Sequence, residues 1–340
     1  MKTIRFGIVG CGMIARYHAL AISETAHAVF IGACSHSRAS AEALCHDFSA
    51  RVFSDYEEML TCDEIDVVVI CTPSGDHFGQ AQAALLHGKH VVIEKPMCLS
   101  LAEADTLIAL ADKKGRMACV ISQTRFSDAV QAIHATLASG FAGKCISAAL
   151  TMRYERQQPY YDQAAWRGTR SGDGGGVLMN QGIHGIDVLC YLLGQPASVC
   201  GYADTLLRDI EVEDTAIAAV KFSSGALACI DATVCSKPSF SKKLNICTES
   251  GTIILEEDAI TTWTLPIPCP LPMGCCSGSS AAADPRGITH CYHAGEYENI
   301  IAHLTGGVPL LIDARQGRIP LSVILGVYES SRSGKAVCLL

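Results

Sequence analysis

The sequence contains no uninterrupted apolar run of about 20 residues, the length a membrane-crossing helix needs. This holds although hydrophobic residues fill 49% of its 340 positions, so no membrane helix is expected. It also lacks a basic tract: no cluster exceeds Lys113-Lys114 or Lys242-Lys243, and the formal net charge is −8. Nucleic acid is therefore not an expected partner. There is no C-x-x-C pair among the 18 cysteines. Thiols scattered through apparent strands and helices point to reduced, mostly buried cysteines in a cytoplasm rather than a disulfide framework. The opening Met1 to Val9 has the outline of an export signal, but its apolar run breaks at once into Gly10-Cys11-Gly12; it reads as a first strand. No repeat and no charged tail is found, and the length predicts about two domains.

What is present is an alternation of short apolar strands and amphipathic helices. Ile4 to Val9 runs into Gly10-Cys11-Gly12-Met13-Ile14-Ala15, a G-x-G-x-x-A turn opening a helix. Glycine at 10 permits the tight turn, and glycine at 12 lets a pyrophosphate approach the backbone. A small residue at 15 packs the helix on the strand. Strands follow at Val29 to Cys34, Arg51 to Phe53, Ile65 to Cys71, Val91 to Ile93 and Met117 to Ile121. Helices lie at Ala39 to Phe48, Tyr56 to Leu60, Ala81 to Leu86 (Asp76 its candidate cap) and, behind the capping box Ser100-Leu101-Ala102-Glu103, to about Lys113. This pattern predicts a doubly wound parallel sheet, an NAD(P)-binding Rossmann domain over residues 1–122.

Cofactor choice is argued from the end of the second strand. NAD binders usually place an acidic residue there, but Cys34-Ser35-His36-Ser37-Arg38 has none before Glu42. Serine hydroxyls and a guanidinium suit a 2′-phosphate, so NADP is favoured over NAD. Lys95, in Glu94-Lys95-Pro96, stands at the carboxyl end of a parallel strand, where such sheets bind ligands; Pro96 holds it extended.

Beyond Ser122 the pattern changes. A helix at Val130 to Leu137 and a strand at Cys145 to Arg153 precede a polar, aromatic stretch from Tyr154 to Trp166-Arg167-Gly168. Strands then dominate: Ser198 to Asp204, Ala216 to Phe222, Ala226 to Ala232, Leu244 to Thr248 and Thr252 to Leu255, with a hairpin turn at Ser223-Ser224-Gly225. Residues 123–340 are expected to form an α+β domain for substrate binding and oligomerisation. Its mostly antiparallel sheet would be open on one face, which suits a homodimer or homotetramer. Pro266 to Arg286 reads as a long loop. Cys269, Cys275, Cys276, His290, Cys291 and His293 cluster around it, but their spacing matches no standard zinc arrangement, and no metal is expected.

Between these parts lies Gly174-Gly175-Gly176 followed by a predicted buried helix from Val177 to Leu193. Asn180, His184 and Asp187 fall at i, i+4 and i+7, on one face. Burying an amide, an imidazole and a carboxylate is costly unless each has a partner. Either His184 is a core histidine satisfied by Asp187, or the face is chemical.

These residues together resemble the Gfo/Idh/MocA family: Gly10-Cys11-Gly12, Thr72-Pro73, Glu94-Lys95-Pro96, Trp166-Arg167-Gly168, Gly174 to Asp187, and Tyr328-Glu329-Ser330 to Val337. The resemblance spans nearly the whole chain. It implies a Rossmann domain, a second domain with an open-faced sheet, and NAD(P)-dependent redox chemistry at a sugar or cyclitol carbon. The family's catalytic lysine and histidine map onto Lys95 and His184. Where many members carry aspartate, this chain has Asn180, which hydrogen-bonds a hydroxyl but cannot accept a proton. Cofactor contacts carry over to Gly10, Cys11, Gly12, Met13, Ile14, Ser35, His36, Arg38, Thr72, Pro73, His77, Glu94, Lys95 and Gln123, with Trp166 and Arg167 near cofactor or substrate. Asn180, Asp187, Arg153, Tyr160 and Tyr161 are the expected substrate contacts. The expected activity is hydride transfer between nicotinamide and a carbinol carbon, with His184 as base and Lys95 holding the same oxygen. A nucleotide-sugar dehydrogenase, a redox-neutral glycosidase holding NAD, and a cofactor-sensing regulator without turnover are the alternatives.

Overall fold

A computed structural model describes residues 2–274 and 290–339; Cys275 and Cys276 lie outside them. The chain divides into two units, Met1–Gln123 with Thr289–Arg318, and Thr124–Ile288 with Ile319–Leu340. This differs from the expected partition at 122/123, because a late segment returns to the first unit.

The first unit holds β1 (Ile4–Val9), α1 (Met13–Glu24), β2 (Ala28–Cys34), α2 (Arg38–Asp47), β3 (Arg51–Val52), α3 (Tyr56–Thr61), β4 (Val67–Ile70), α4 (His77–Leu86), β5 (His90–Ile93), α5 (Leu101–Lys114) and β6 (Ala118–Val120). Its strands are parallel in the order β3-β2-β1-β4-β5-β6. The order reverses between β1 and β4, the place where doubly wound sheets open a ligand crevice. Val67 to Ile70 are fully buried, as a central strand covered on both faces requires. Both halves of the Ser100/Glu103 capping box form, and α5 ends on Gly115 at φ 59° with Lys113 and Lys114 in its last turn. Asp76 does not cap α4; it sits in a 3₁₀ turn over Ser74–Asp76 and makes no capping bond.

The returning segment brings α9 (Cys291–Gly306) and the first residues of α10 (Ala314–Ser333) to this unit. Tyr297, Ile300 and Ile301 of α9 join the core around Phe6, Ala19 and Ile22. The Phe6 and Tyr297 rings meet edge to face at 5.4 Å. No sequence period marks this partnership, because it joins residues far apart in the chain.

The second unit contains α6 (Asp128–Ala138), β7 (Cys145–Arg153), α7 (Gln158–Asp162), α8 (Ile183–Leu193), β8 (Pro196–Asp204), β9 (Thr215–Phe222), β10 (Leu227–Thr233), β11 (Lys243–Thr248), β12 (Gly251–Glu256), β13 (Ala259–Trp263) and β14 (Val337–Cys338). The sheet runs β13-β12-β11-β7-β10-β9-β8-β14, and β7–β10 is its parallel pair; β13, β14 and α7 extend what the sequence pattern predicts. Alternation sorts its faces. Leu150 and Met152 turn toward α8, where a Cβ on Gly185 would lie 2.7 Å from the Met152 sulfur. On the other face Tyr202, Ile217 and Leu227 are 74%, 58% and 57% exposed. Among the described residues no helix is long and apolar enough to cross a membrane. Cys34, Cys71 and Cys119 are buried thiols in the first unit.

Candidate functional site

In the first unit, the Gly10 turn sits against the end of β4. Gly10 has φ +87°, and a Cβ there would come within 2.7 Å of the Thr72 amide nitrogen, so only glycine fits. Gly12, by contrast, has open space where a Cβ would go, and α1 starts there without a side-chain cap. Backbone donors and an open approach are the features a pyrophosphate requires. Cys11 and Ile14 are partly buried and Met13 exposed, while Ala15 is fully buried. The Ser35 hydroxyl stands 3.4 Å from the Cys11 amide nitrogen, which donates to it. His36 and Arg38 are exposed, and Arg38 Nε donates to Glu42 at 2.8 Å, one turn along α2.

Two of the expected cofactor contacts, His77 and Glu94, also tie loops of this unit together. His77 is 1% exposed, and its ring nitrogens lie 2.7 Å from the Pro96 carbonyl and 2.9 Å from that of Thr72. It thus ties the loop after β4 to the loop after β5. Burial pushes its pKa down, against the two carbonyls that favour its proton. Glu94 is 7% exposed and faces inward. One oxygen lies 2.9 Å from His18 Nε2, and the other accepts the Lys95 N–H at 3.0 Å. His18 Nδ1 stands 2.9 Å from the Tyr297 hydroxyl, and His293 packs edge-on to the His18 ring at 5.1 Å. Burial, the largest influence, opposes the Glu94 charge, but the His18 hydrogen bond together with electrostatic attraction from His18, Lys95 and His293 outweighs it and holds the carboxyl down at about 2. The result is a buried, bonded carboxylate directly behind the partly exposed Lys95, whose following peptide bond to Pro96 is cis. Thr72 and Pro73 are partly buried; Thr72 bonds Gln80 at 2.7 Å. Gln123 is 9% exposed and its Oε1 is buried with no hydrogen-bond partner among the described residues.

In the second unit the predicted single helix is two. Val177–Gly182 is a π-helix and α8 follows it, a widened turn of the kind found where ligands bind. Its entry is held by Glu213, which no sequence signal exposed. Its carboxylate accepts N–H bonds from Gly176 and Leu178 at 2.8 and 2.9 Å and the Tyr328 hydroxyl at 2.9 Å. Its backbone carbonyl takes the Val177 N–H. A Cβ on Gly176 would stand 1.7 Å from that carbonyl oxygen, and one on Gly175 would stand 2.1 Å from the Tyr328 hydroxyl. Burial pushes the Glu213 carboxyl up, partly countered by these donors.

The three residues expected on one face differ in burial and partners. Asn180 is half-buried, and its Nδ2 donates to Asp173 at 2.9 Å, which fixes the amide. His184 is half-buried on α8. Asp187, expected to touch substrate, is 2% exposed and takes both arms of the buried Arg125 guanidinium, at 2.6 and 2.8 Å. Its oxygens are thus committed to Arg125, which also stacks on Tyr191 at 4.7 Å. Burial opposes the Arg125 charge, but Asp187 more than restores it, and the pKa rises.

Tyr160 and Tyr161 of α7 meet edge to face at 5.1 Å. Arg167 donates to the Tyr160 hydroxyl at 2.8 Å, and its guanidinium lies 4.6 Å from the Trp166 and Tyr160 ring centres. These side chains form one cluster. Arg153 does not belong to it: the residue before it turns toward α8, so Arg153 stands on the opposite face, exposed and paired with Asp231. The late histidines scatter: His290 pairs with Glu24 at 2.9 Å, while His293 is buried beside His18.

With this geometry in hand, comparison with known proteins is informative. A family model described as an oxidoreductase family with NAD-binding Rossmann fold matches residues 4–122, and the GFO/IDH/MocA C-terminal domain model matches residues 130–254. A scyllo-inositol 2-dehydrogenase (NADP(+)) of Bacillus subtilis is 31% identical, but the match covers 58% of this chain and only 54% of that protein. An inositol 2-dehydrogenase of Rhizobium meliloti is 26% identical over 75% of this chain and 76% of its own length. The crystal structure of the WlbA dehydrogenase from Bordetella pertussis, in complex with NADH and UDP-GlcNAcA, is 32% identical. It superposes with a TM-score of 0.89 over 100% of this chain and 98% of that one.

Proposed function

Because the chain belongs to the Gfo/Idh/MocA oxidoreductase family, we propose that it transfers a hydride between a nicotinamide and a carbinol carbon of a sugar, cyclitol or related polyol. The observation that carries this reading is Lys95, presented at the carboxyl end of a parallel strand by a buried carboxylate that receives its N–H.

The first unit suits the cofactor. Gly10 and Gly12 give close backbone approach, α1 offers its amide donors, and the buried Gln123 Oε1 is a waiting acceptor for an amide. Gly10 to Ile14, Ser35, His36, Arg38, Thr72, Pro73, Lys95 and Gln123 would hold it, with Trp166 and Arg167 set toward it or the substrate; His77 and Glu94 would support the loops. When bound, the nicotinamide supplies the hydride chemistry. In the oxidation direction His184 takes the hydroxyl proton, a contribution of about 10²- to 10⁴-fold. The Lys95 ammonium stabilises the alkoxide character that develops on the same oxygen. Asn180, its amide fixed by Asp173, orients a neighbouring hydroxyl, and Tyr160 and Tyr161 wall the sugar. NADP is the preferred cofactor, for want of an acidic residue before Glu42, and the exposed apolar face with Tyr202, Ile217 and Leu227 suits pairing of copies into a homodimer or homotetramer in the cytoplasm.

The likeness to the WlbA dehydrogenase across nearly both full chains supports a second reading, a nucleotide sugar as substrate. A screen of sugars, cyclitols, sugar acids and nucleotide sugars, with NAD and NADP in parallel and reduced nicotinamide as readout, decides between them. In the best pair, His184→Ala should cut kcat by orders of magnitude while cofactor affinity stays near wild type. Full turnover in that variant would remove the proposed base.

A further inference from the structure

Arg208 is placed oddly for a surface-loop arginine. Its Nε and Nη2 are buried and have no hydrogen-bond partner among the described residues. Folded proteins leave few such buried donors unpaired, and each is costly. The carboxylate of Asp214, which the Arg208 backbone reaches, is already occupied. Asp214 is filled by the backbone N–H groups of Leu206, Leu207 and Arg208 at 3.0, 2.7 and 2.8 Å, and by the Thr215 hydroxyl at 2.9 Å.

The loop that carries Arg208 is fixed in place. Asp209 and Gln158 of α7 exchange two hydrogen bonds, at 3.0 and 3.1 Å, and the Glu211 N–H reaches the Gly168 carbonyl at 2.9 Å. A second arginine stands close by. Arg156 is 7% exposed, and its guanidinium lies 5.7 Å from the Tyr160 ring centre. Both arginines act on the Tyr161 hydroxyl: burial pushes that phenol up, and their positive charges pull it back. Tyr161 in turn touches Tyr160, so the two guanidinium groups border the same aromatic cluster that the proposed sugar contacts use.

We infer that Arg208, with Arg156 beside it, is the seat of an anionic group on the substrate, a carboxylate or a phosphate bound at the guanidinium fork. This rests on the reading of the second unit as the carbohydrate-binding part. A planar fork with two desolvated donors matches two oxygens of either anion, and the missing hydrogen-bond acceptors then arrive with the substrate. Substrates bearing a carboxylate or phosphate are therefore preferred over neutral sugars.

The test uses the full chain, wild type, Arg208→Met and Arg208→Lys. Turnover is compared across glucose, D-glucuronate, glucose 6-phosphate, UDP-N-acetylglucosamine and UDP-glucuronate, and thermal stabilisation by D-glucuronate, inorganic phosphate and UDP is measured alongside. The ratio of kcat/KM for the best anionic substrate to that for glucose should fall about 10- to 100-fold in Arg208→Met, the size expected for losing a charge-assisted hydrogen bond. Arg208→Lys should recover part of that loss. Preference for glucuronate over UDP-N-acetylglucosamine assigns the seat to a carboxylate, and the reverse assigns it to a phosphate. If no sugar turns over, yet one of the three anions stabilises wild type and not Arg208→Met, the seat stands and the hydride-transfer reading falls. Equal use of neutral and anionic substrates with an unaltered ratio in Arg208→Met overturns the inference, as does the absence of both turnover and anion-dependent stabilisation.

Discussion

The Arg125–Asp187 pair allows a sharp test of what Asp187 is for. With Arg125 1% exposed and Asp187 2% exposed, replacing Asp187 by asparagine keeps the shape but strands a guanidinium in the interior. Breaking a buried pair from one side costs about 3–5 kcal/mol. For domains of this size each kcal/mol moves the melting midpoint by about 2–4 °C, so Asp187→Asn should melt about 6–20 °C below wild type. Arg125→Met combined with Asp187→Leu removes both charges and should regain most of that loss, since a well-packed apolar pair often matches a buried ion pair. The assay is a thermal melt followed by near-ultraviolet circular dichroism, with turnover measured well below the transition. An unchanged midpoint together with lost substrate affinity would refute this account and return Asp187 to the substrate site.

Other outcomes follow from the same geometry. Gly176→Ala places a methyl 1.7 Å from the Glu213 carbonyl oxygen and should melt well below wild type, whereas Gly12→Ala has room and should keep its midpoint while weakening cofactor binding in fluorescence titration. Glu94 is held down at about 2 against an ordinary 4.5, so its stabilisation is present above the ordinary value and is lost as pH falls between the two. Urea midpoints measured across that acid range should drop more steeply for wild type than for Glu94→Gln. Arg38→Ala should raise the KM for NADP more than that for NAD; an equal effect on both would remove the 2′-phosphate argument.

The parts of the molecule written in local chemistry were legible from the sequence. Gly10, the Ser100/Glu103 capping box and the unbroken Ile65 to Cys71 run each state their structure within a few residues, and together they specify the parallel sheet. The strands of the second sheet were likewise visible in their alternation. What could not be read depends on partners far away in the chain. Glu213 bonds the Gly176 and Leu178 N–H groups from 35 to 37 residues on, Arg125 claims Asp187 across 62, and Glu94 bonds His18 across 76. These partnerships give the residues contacts that the sequence does not announce: Glu94 bonds His18 and Asp187 pairs with Arg125, while Arg153 faces Asp231 because one residue of register decides a face. The return of Tyr297 to the first core had no local marker either.

The glycine run before the π-helix carries a constraint on how this protein can diverge. A methyl at 175 or 176 would collide with the Tyr328 hydroxyl or the Glu213 carbonyl, so that side of the imidazole-bearing helix admits no variation. Under the proposed function, new sugar preferences would instead be written on α7 and on the loop that presents Arg208. Selection or engineering can alter those without disturbing the frame that aims His184.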